Sequence, residues 1–200
     1  HILVDMSGIL GAKSLSGSIF MIENMYANFH LGLNVLQNLT THSAKETYDM
    51  FLSSRAEKQG LGFGNDMEKA IVRLACWTRA FDKDSGAQVR KAFHELTNDE
   101  QAQLQKFVNK DGIEVRPGYL LYYAPAYMEN AKNNPNVGLV RAMRLLLEVY
   151  QRAHEAYTDS SESVVTLHMA KVAAWAKDCD NPVLYENTFF SLEKTKGERG

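Results

Sequence analysis

Apolar positions recur at intervals of three and four along most of this chain, the period of a helix with one buried face. From Ser18 to about Gln37 the stripe is Ile19, Ile22, Met25, Phe29, Leu33 and Leu36. Thr41 or Ser43 can cap a second helix running to about Lys58, with Tyr48, Phe51 and Leu52 turned inward. Gly60, Gly62 and Gly64 interrupt the pattern, and Asn65 or Asp66 then caps a third helix carrying Ile71, Leu74 and Phe81. Ser85 opens a fourth. Thr97-Asn98-Asp99-Glu100 has the form of a capping box, in which hydroxyl and carboxylate each satisfy the other residue's amide, and it predicts a helix ending near Val108. A loop follows from Asn109 to Gly118, punctuated by Arg116-Pro117-Gly118. Beyond it the spacing predicts a helix from about Tyr119 to Lys132, a turn at Asn133-Asn134-Pro135-Asn136, and the longest helix from Val137 to about Tyr157. Ser160, Ser161 or Ser163 caps a last helix to about Lys177.

Strand patterns are almost absent, so the expected fold class is all-α, an irregular multi-helix domain. The loop at 109–118 is the natural place for a boundary between two lobes, residues 18–108 and 109–182. Residues 1–17, with Ile2, Leu3, Val4, Ile9, Leu10 and Leu15, hold too little apolar surface to fold alone and read as an N-terminal arm. Residues 183–200 read as a C-terminal arm, with Val183, Leu184, Tyr185, Phe189, Phe190 and Leu192 outside any clear helix. There is no internal repeat and no heptad run.

Composition adds bounds. With 200 residues, 45% hydrophobic and 23% charged, the chain is of ordinary globular type. A chain of this length buries about two-thirds of its unfolded surface, so neither disulfide nor metal is needed to hold it. The net charge of −2 counts against a freely circulating nucleic-acid binder, while leaving room for a local basic groove. No apolar run approaches a membrane span. The start at His1 has neither a basic leader nor a cleavage site, so no signal peptide is expected, and the chain reads as a piece of something longer. Cys76 and Cys179 are either two reduced thiols or one disulfide; without a CxxC the count points to a reducing compartment.

Catalytic patterns are missing. The six histidines form no HExxH or HxH, and His42 with Glu46, four apart, is a pair that chance supplies often. Gly60-Leu61-Gly62-Phe63-Gly64 has the glycines of a phosphate loop without the Gly-Lys-Ser/Thr that would grip phosphate and magnesium. No Gly-x-Ser-x-Gly elbow occurs. The expectation is a protein that is not an enzyme and holds no metal or cofactor.

Two clusters point to binding. Tyr119, Tyr122, Tyr123 and Tyr127 crowd one short stretch between Pro117 and Pro125 and just beyond it. They either pack one helix with their hydroxyls at the rim or form a platform for stacking bases or a partner chain. Arg141 and Arg144 lie three apart on the longest helix with Arg152 beyond them, Arg73, Arg79, Arg90 and Lys91 lie on the third and fourth helices, and Lys171 and Lys177 on the last. With Arg116 in the loop, these either form solvated helix faces or line a groove that tracks phosphates.

Several strings carry a resemblance. Asn65-Asp66-Met67 leading to Arg73-Leu74, Tyr119-Leu120 with Tyr122-Tyr123 and Pro125, and Lys171-Val172-Ala173-Ala174 with Ala176-Lys177 resemble, in order and separation, the nucleoproteins of segmented negative-strand RNA viruses of the orthobunyavirus type. Met67 with Trp77, and Asp111-Gly112, are similar to coat proteins of filamentous plant viruses of the potyvirus type. The resemblance implies a two-lobed nucleocapsid protein, found in the virion and host cytoplasm. It would polymerise through terminal arms as a homo-oligomer and hold single-stranded RNA in a basic cleft between its lobes. The rival expectation is a helical protein-interaction or effector domain, or a non-catalytic lobe of a larger protein.

Overall fold

The computed structural model describes residues 23–110, 117–157 and 164–181. Both terminal arms expected from the sequence, and Arg116, lie outside these residues. Eight α-helices and one two-stranded sheet make up the described chain, in the order α1 (Glu23–Gln37), α2 (Ala44–Gln59), α3 (Asp66–Trp77), α4 (Lys83–His94), α5 (Asn98–Val108), β1 (Gly118–Tyr122), α6 (Ala124–Asn133), α7 (Gly138–Tyr157), β2 (Val164–His168) and α8 (Ala170–Asp178). The fold is thus mostly helical, as the periodicity predicts. The chain divides into two compact units, residues 1–55 and 56–200.

In the first unit, α1 runs into a single 3-10 turn at Asn38–Thr40. Ser43 rather than Thr41 starts α2. Its hydroxyl accepts from the Glu46 amide, and the Glu46 carboxylate accepts from the Ser43 amide at 2.8 Å. Leu52 is buried and Tyr48 and Phe51 half-buried, but Leu33 and Leu36 of the expected stripe are exposed and Val35 is buried instead.

The second unit is built on one apolar core, to which α3, α4, α5, β1, α6, α7, β2 and α8 all contribute. Local signals start its helices. The Asn65 side chain accepts from the Glu68 amide at the start of α3, and Thr97 and Glu100 close the expected capping box on α5. At α4 the N-cap is Asp82, and Ser85 is the reciprocal partner three residues on, not the residue that opens the helix. Helix α3 ends in a Schellman closure: Arg79, at φ 50°, donates its amide to the Cys76 carbonyl, and the Ala80 amide reaches the Ala75 carbonyl.

Helices on either side of residues 109–118 share this core. Phe107 of α5 stacks on Tyr150 of α7 with ring centroids 5.2 Å apart, and the Gln151 amide donates to Gln103 at 2.6 Å. Burying these faces together stabilises more than opening a cleft between them would, because each helix carries its apolar stripe toward the other.

The strands are the main departure from the all-helical expectation. Tyr119 to Tyr122 are strand, not helix, and the last predicted helix is split into strand Val164–His168 and α8. The two strands pair in parallel, Gly118 with Val164 through Tyr122 with His168. The Met169 amide continues the ladder to the Tyr122 carbonyl at 2.9 Å. A parallel pair needs a long crossover, which α6 and α7 supply.

Candidate interaction surface

Side chains of a strand alternate between faces, and the register sorts the nine that follow Gly118 or pair with β1. Tyr119 and Leu121 of β1, with Val165 and Leu167 of β2, point into the core. Leu120 and Tyr122, opposite Thr166 and His168, point out, with Val164 beside them. Leu120 is 55% exposed, Tyr122 51% and Val164 49%. Such exposure is unusual for parallel strands, which are normally covered on both faces.

The chain leaves β1 through Tyr123, whose φ of 71° places it in the left-handed region at the start of α6. That turn throws its ring back beside Tyr122. The two rings meet edge-on at 4.7 Å, and the His168 ring lies 5.4 Å from Tyr122. Tyr123 is 48% exposed. Tyr122, Tyr123 and His168 thus form a continuous aromatic strip bordered by Leu120 and Val164. An apolar cluster of this kind, held by a rigid ladder and open to solvent, is the form that binding surfaces take.

The other tyrosines belong to the core. Tyr127 is fully buried, its hydroxyl donating to the Ala142 carbonyl at 3.2 Å. Tyr119 packs edge-on against Tyr150 at 5.8 Å, and its hydroxyl lies 3.5 Å from His154 Nδ1. Burial raises the Tyr119 phenol above its ordinary pKa. Lys110 rests its ammonium over the rings of Phe107 and Tyr119, and desolvation, with Lys106 nearby, lowers its pKa.

The predicted basic residues are spread over the unit. Arg73 is buried, donating to the Val108 carbonyl and the Asn109 side chain at 3.0 Å each, so it ties α3 to the end of α5. Arg79 is paired with Glu129 at 2.6 Å, Arg144 with Glu100 at 2.9 Å, and Arg152 with Glu148 at 2.6 Å. Arg141 donates to the Asn136 carbonyl at 2.7 Å. Lys91 lies 4.0 Å from Glu95, and Arg90, Lys171 and Lys177 are exposed. Neighbouring carboxylates and carbonyls thus hold many of these cations, and each such partner would have to be exchanged for a phosphate. Among the described residues no group of three or more His, Cys, Asp or Glu is placed to hold a metal ion. Cys76 is half-buried and Cys179 buried, and no described helix is long and apolar enough to cross a membrane.

Sequence reasoning singled out Tyr122 and Tyr123 and missed Leu120, Val164 and His168. The available signal was the β-branched run Val164-Val165-Thr166, which favours strand. It missed as well the asparagines that close α8. Asn134 Nδ2 donates to the Ala176 carbonyl at 3.0 Å and the Cys179 carbonyl at 2.9 Å, Asn136 reaches Cys179 at 3.2 Å, and Asn130 donates to Ala173 at 2.8 Å. Of these, the Ala176 and Cys179 carbonyls lie where the end of a helix leaves such groups open.

Fold and surface together define a class: a helical domain whose parallel strand pair is packed on one face and open on the other. The chain belongs to a family described as a family of unknown function (DUF6829), which matches residues 1–181. No curated protein and no solved structure matches it.

Proposed function

We propose that this domain is a non-catalytic binding module that docks an extended apolar peptide on the outer face of β1 and β2. One observation carries the reading: the parallel pair presents Leu120, Tyr122, Val164 and His168 to solvent, with Tyr123 alongside. An exposed apolar patch on a rigid element is the kind of surface on which a partner's apolar side chains are buried. Selection from a displayed peptide library tests this. Apolar sequences should be enriched by the native domain and lost with Tyr122→Ala. Equal enrichment by both proteins would sink the reading.

A second reading, the nucleocapsid one, draws support from the same strip. Tyr122, Tyr123 and His168 offer ring faces for bases, and Lys171 is exposed one residue into the helix after β2. In this reading Arg141 and Arg144 contact phosphates and the ends of the chain join copies into an oligomer. Single-stranded RNA should then copurify. Changing both arginines to Ala should flatten the salt dependence by about 0.7 per lost contact. Absence of affinity for single-stranded RNA at low salt would leave the peptide-binding reading alone.

A further inference from the structure

We infer that the outer edge of β2 is a strand-addition site. The docked peptide joins the sheet there as a third strand, its backbone hydrogen-bonded to Thr166 and His168 and its alternate side chains continuing the exposed strip. Peptides held in this way gain affinity from main-chain bonds and selectivity from alternate side chains. The inference deepens the peptide-binding reading and rests on it. The phase of the ladder, the exposure of its two edges and the composition of β2 carry it.

In a parallel ladder, a residue that bonds the neighbouring strand does so with both its amide and its carbonyl, and the residues on either side of it point theirs the other way. The Met169 amide meets the Tyr122 carbonyl at 2.9 Å, which together with the register assigns each group. Gly118, Leu120 and Tyr122 face β2, and Val165 and Leu167 face β1. Thr166 and His168 therefore point their amides, and Thr166 its carbonyl, away from β1. Among the described residues no other strand pairs with β2, and no backbone group bonds to these three. Open amides and carbonyls on every second residue of a strand are the template for an extended backbone.

The two edges of the sheet are not equivalent. On β1 the outward groups belong to Tyr119 and Leu121, which are 8% and 7% exposed and packed in the core. On β2 they belong to Val164, Thr166 and His168, all exposed on the solvent face. A strand added beside β2 sets its own side chains about 5 Å from those of Val164 and His168, within the same strip. Sheet edges open to solvent are usually blunted by lysine, proline or a bulge. Val164–His168 contains neither residue and pairs with β1 without interruption. A second copy is the poorer occupant, because a five-residue edge falls short of the roughly 1,200 Å² that stable protein complexes bury. The occupant is therefore an extended segment of a partner, apolar at alternate positions.

The probe is a capped synthetic peptide of alternating valine and threonine, about as long as the strand, titrated against the full chain by fluorescence anisotropy. Thr166→Pro removes an outward amide and leaves the β1–β2 ladder intact, because that amide takes no part in it. It should weaken binding about tenfold or more, as one or two lost hydrogen bonds would, with the helical circular-dichroism signal unchanged. Two further peptides, N-methylated on every valine or on every threonine, repeat the test without altering the protein. One set of amides faces β2 and the other faces away, so one peptide should bind and the other fail. Equal affinities of the two methylated peptides, full binding by Thr166→Pro, or no affinity of the native chain for the probe overturns the inference. So does a mass that falls from dimer to monomer in Thr166→Pro without peptide, which assigns the edge to a second copy. Tyr122→Ala separates edge from face. Binding lost there but kept by Thr166→Pro leaves the face and removes the edge; the reverse leaves the edge and removes the face.

Discussion

The Arg144 guanidinium grips the Glu100 carboxylate with two nitrogens, Nε at 2.9 Å and Nη2 at 3.4 Å, while the same carboxylate accepts from the Thr97 amide at 2.8 Å. One side chain therefore starts α5 and ties it to α7. The hydrogen bond from Arg144, then that from the Thr97 backbone, holds the Glu100 carboxyl below its ordinary pKa. A carboxylate depressed in the folded state stabilises fully above its unfolded pKa, about 4.3, and loses that contribution as pH falls through the lower folded value. Because the pair is partly exposed, Glu100→Gln should cost no more than about 1 kcal/mol at neutral pH. Urea midpoints of the two proteins should converge below pH 4; a gap that persists in strong acid would show that charge is not its source.

Gly86 is required by close approach, not by backbone conformation. A Cβ there would collide with the Gln59 carbonyl, at the place where Gln59 is itself buried and donates to the Ala80 carbonyl at 2.8 Å. Gly86→Ala would ordinarily favour a helix. Here it should destabilise by about 1–3 kcal/mol, through overpacking. Thermal unfolding decides the sign, and a gain in stability would contradict the packing.

Asn134 acts as a donor to carbonyls at the end of α8. Asn134→Ala should cost about 1–3 kcal/mol by leaving those carbonyls without their partner. Asn134→Asp should cost more above pH 5, since a carboxylate has no proton to give and repels them. Hydrogen exchange confined to α8 would report the loss; equal stability of the Asp and Asn forms would rule out the donor role.

Tyr123 carries two separable roles. Its left-handed backbone disfavours branched side chains, so Tyr123→Val should lose about 1–2 kcal/mol of stability while Tyr123→Gly should change it little. Both remove the ring, and both should weaken peptide binding alike in a titration. Retained binding by the Gly variant would take Tyr123 out of the surface.

The parts of this fold legible in the sequence are those in which cause and effect lie within a turn or two. The Thr97–Glu100 box, the Asn65 cap, the break after α2 and the extent of α7 all follow from side chains acting on backbone three or four residues away. The same locality explains the error at Tyr119, Tyr122 and Tyr123. Their spacings of three and four satisfy a helix as well as they satisfy anything else. Only pairing with Val164–His168, some 46 positions on, makes extended backbone the better state, by giving its amides and carbonyls partners that no nearby residue supplies.

The sequence by itself determined the helical class, several of the caps and two residues of the exposed strip. Tertiary structure decided which face each strand residue takes, because a shift of one residue in register exchanges buried for exposed side chains throughout. It decided as well which charges remain available. Arg73 and Arg144 look alike along the chain, yet packing buries one against the Val108 carbonyl and places a carboxylate beside the other. Those partners stand 35 and 44 residues away, and a distance of that kind is set by how helices stack, which local spacing does not encode.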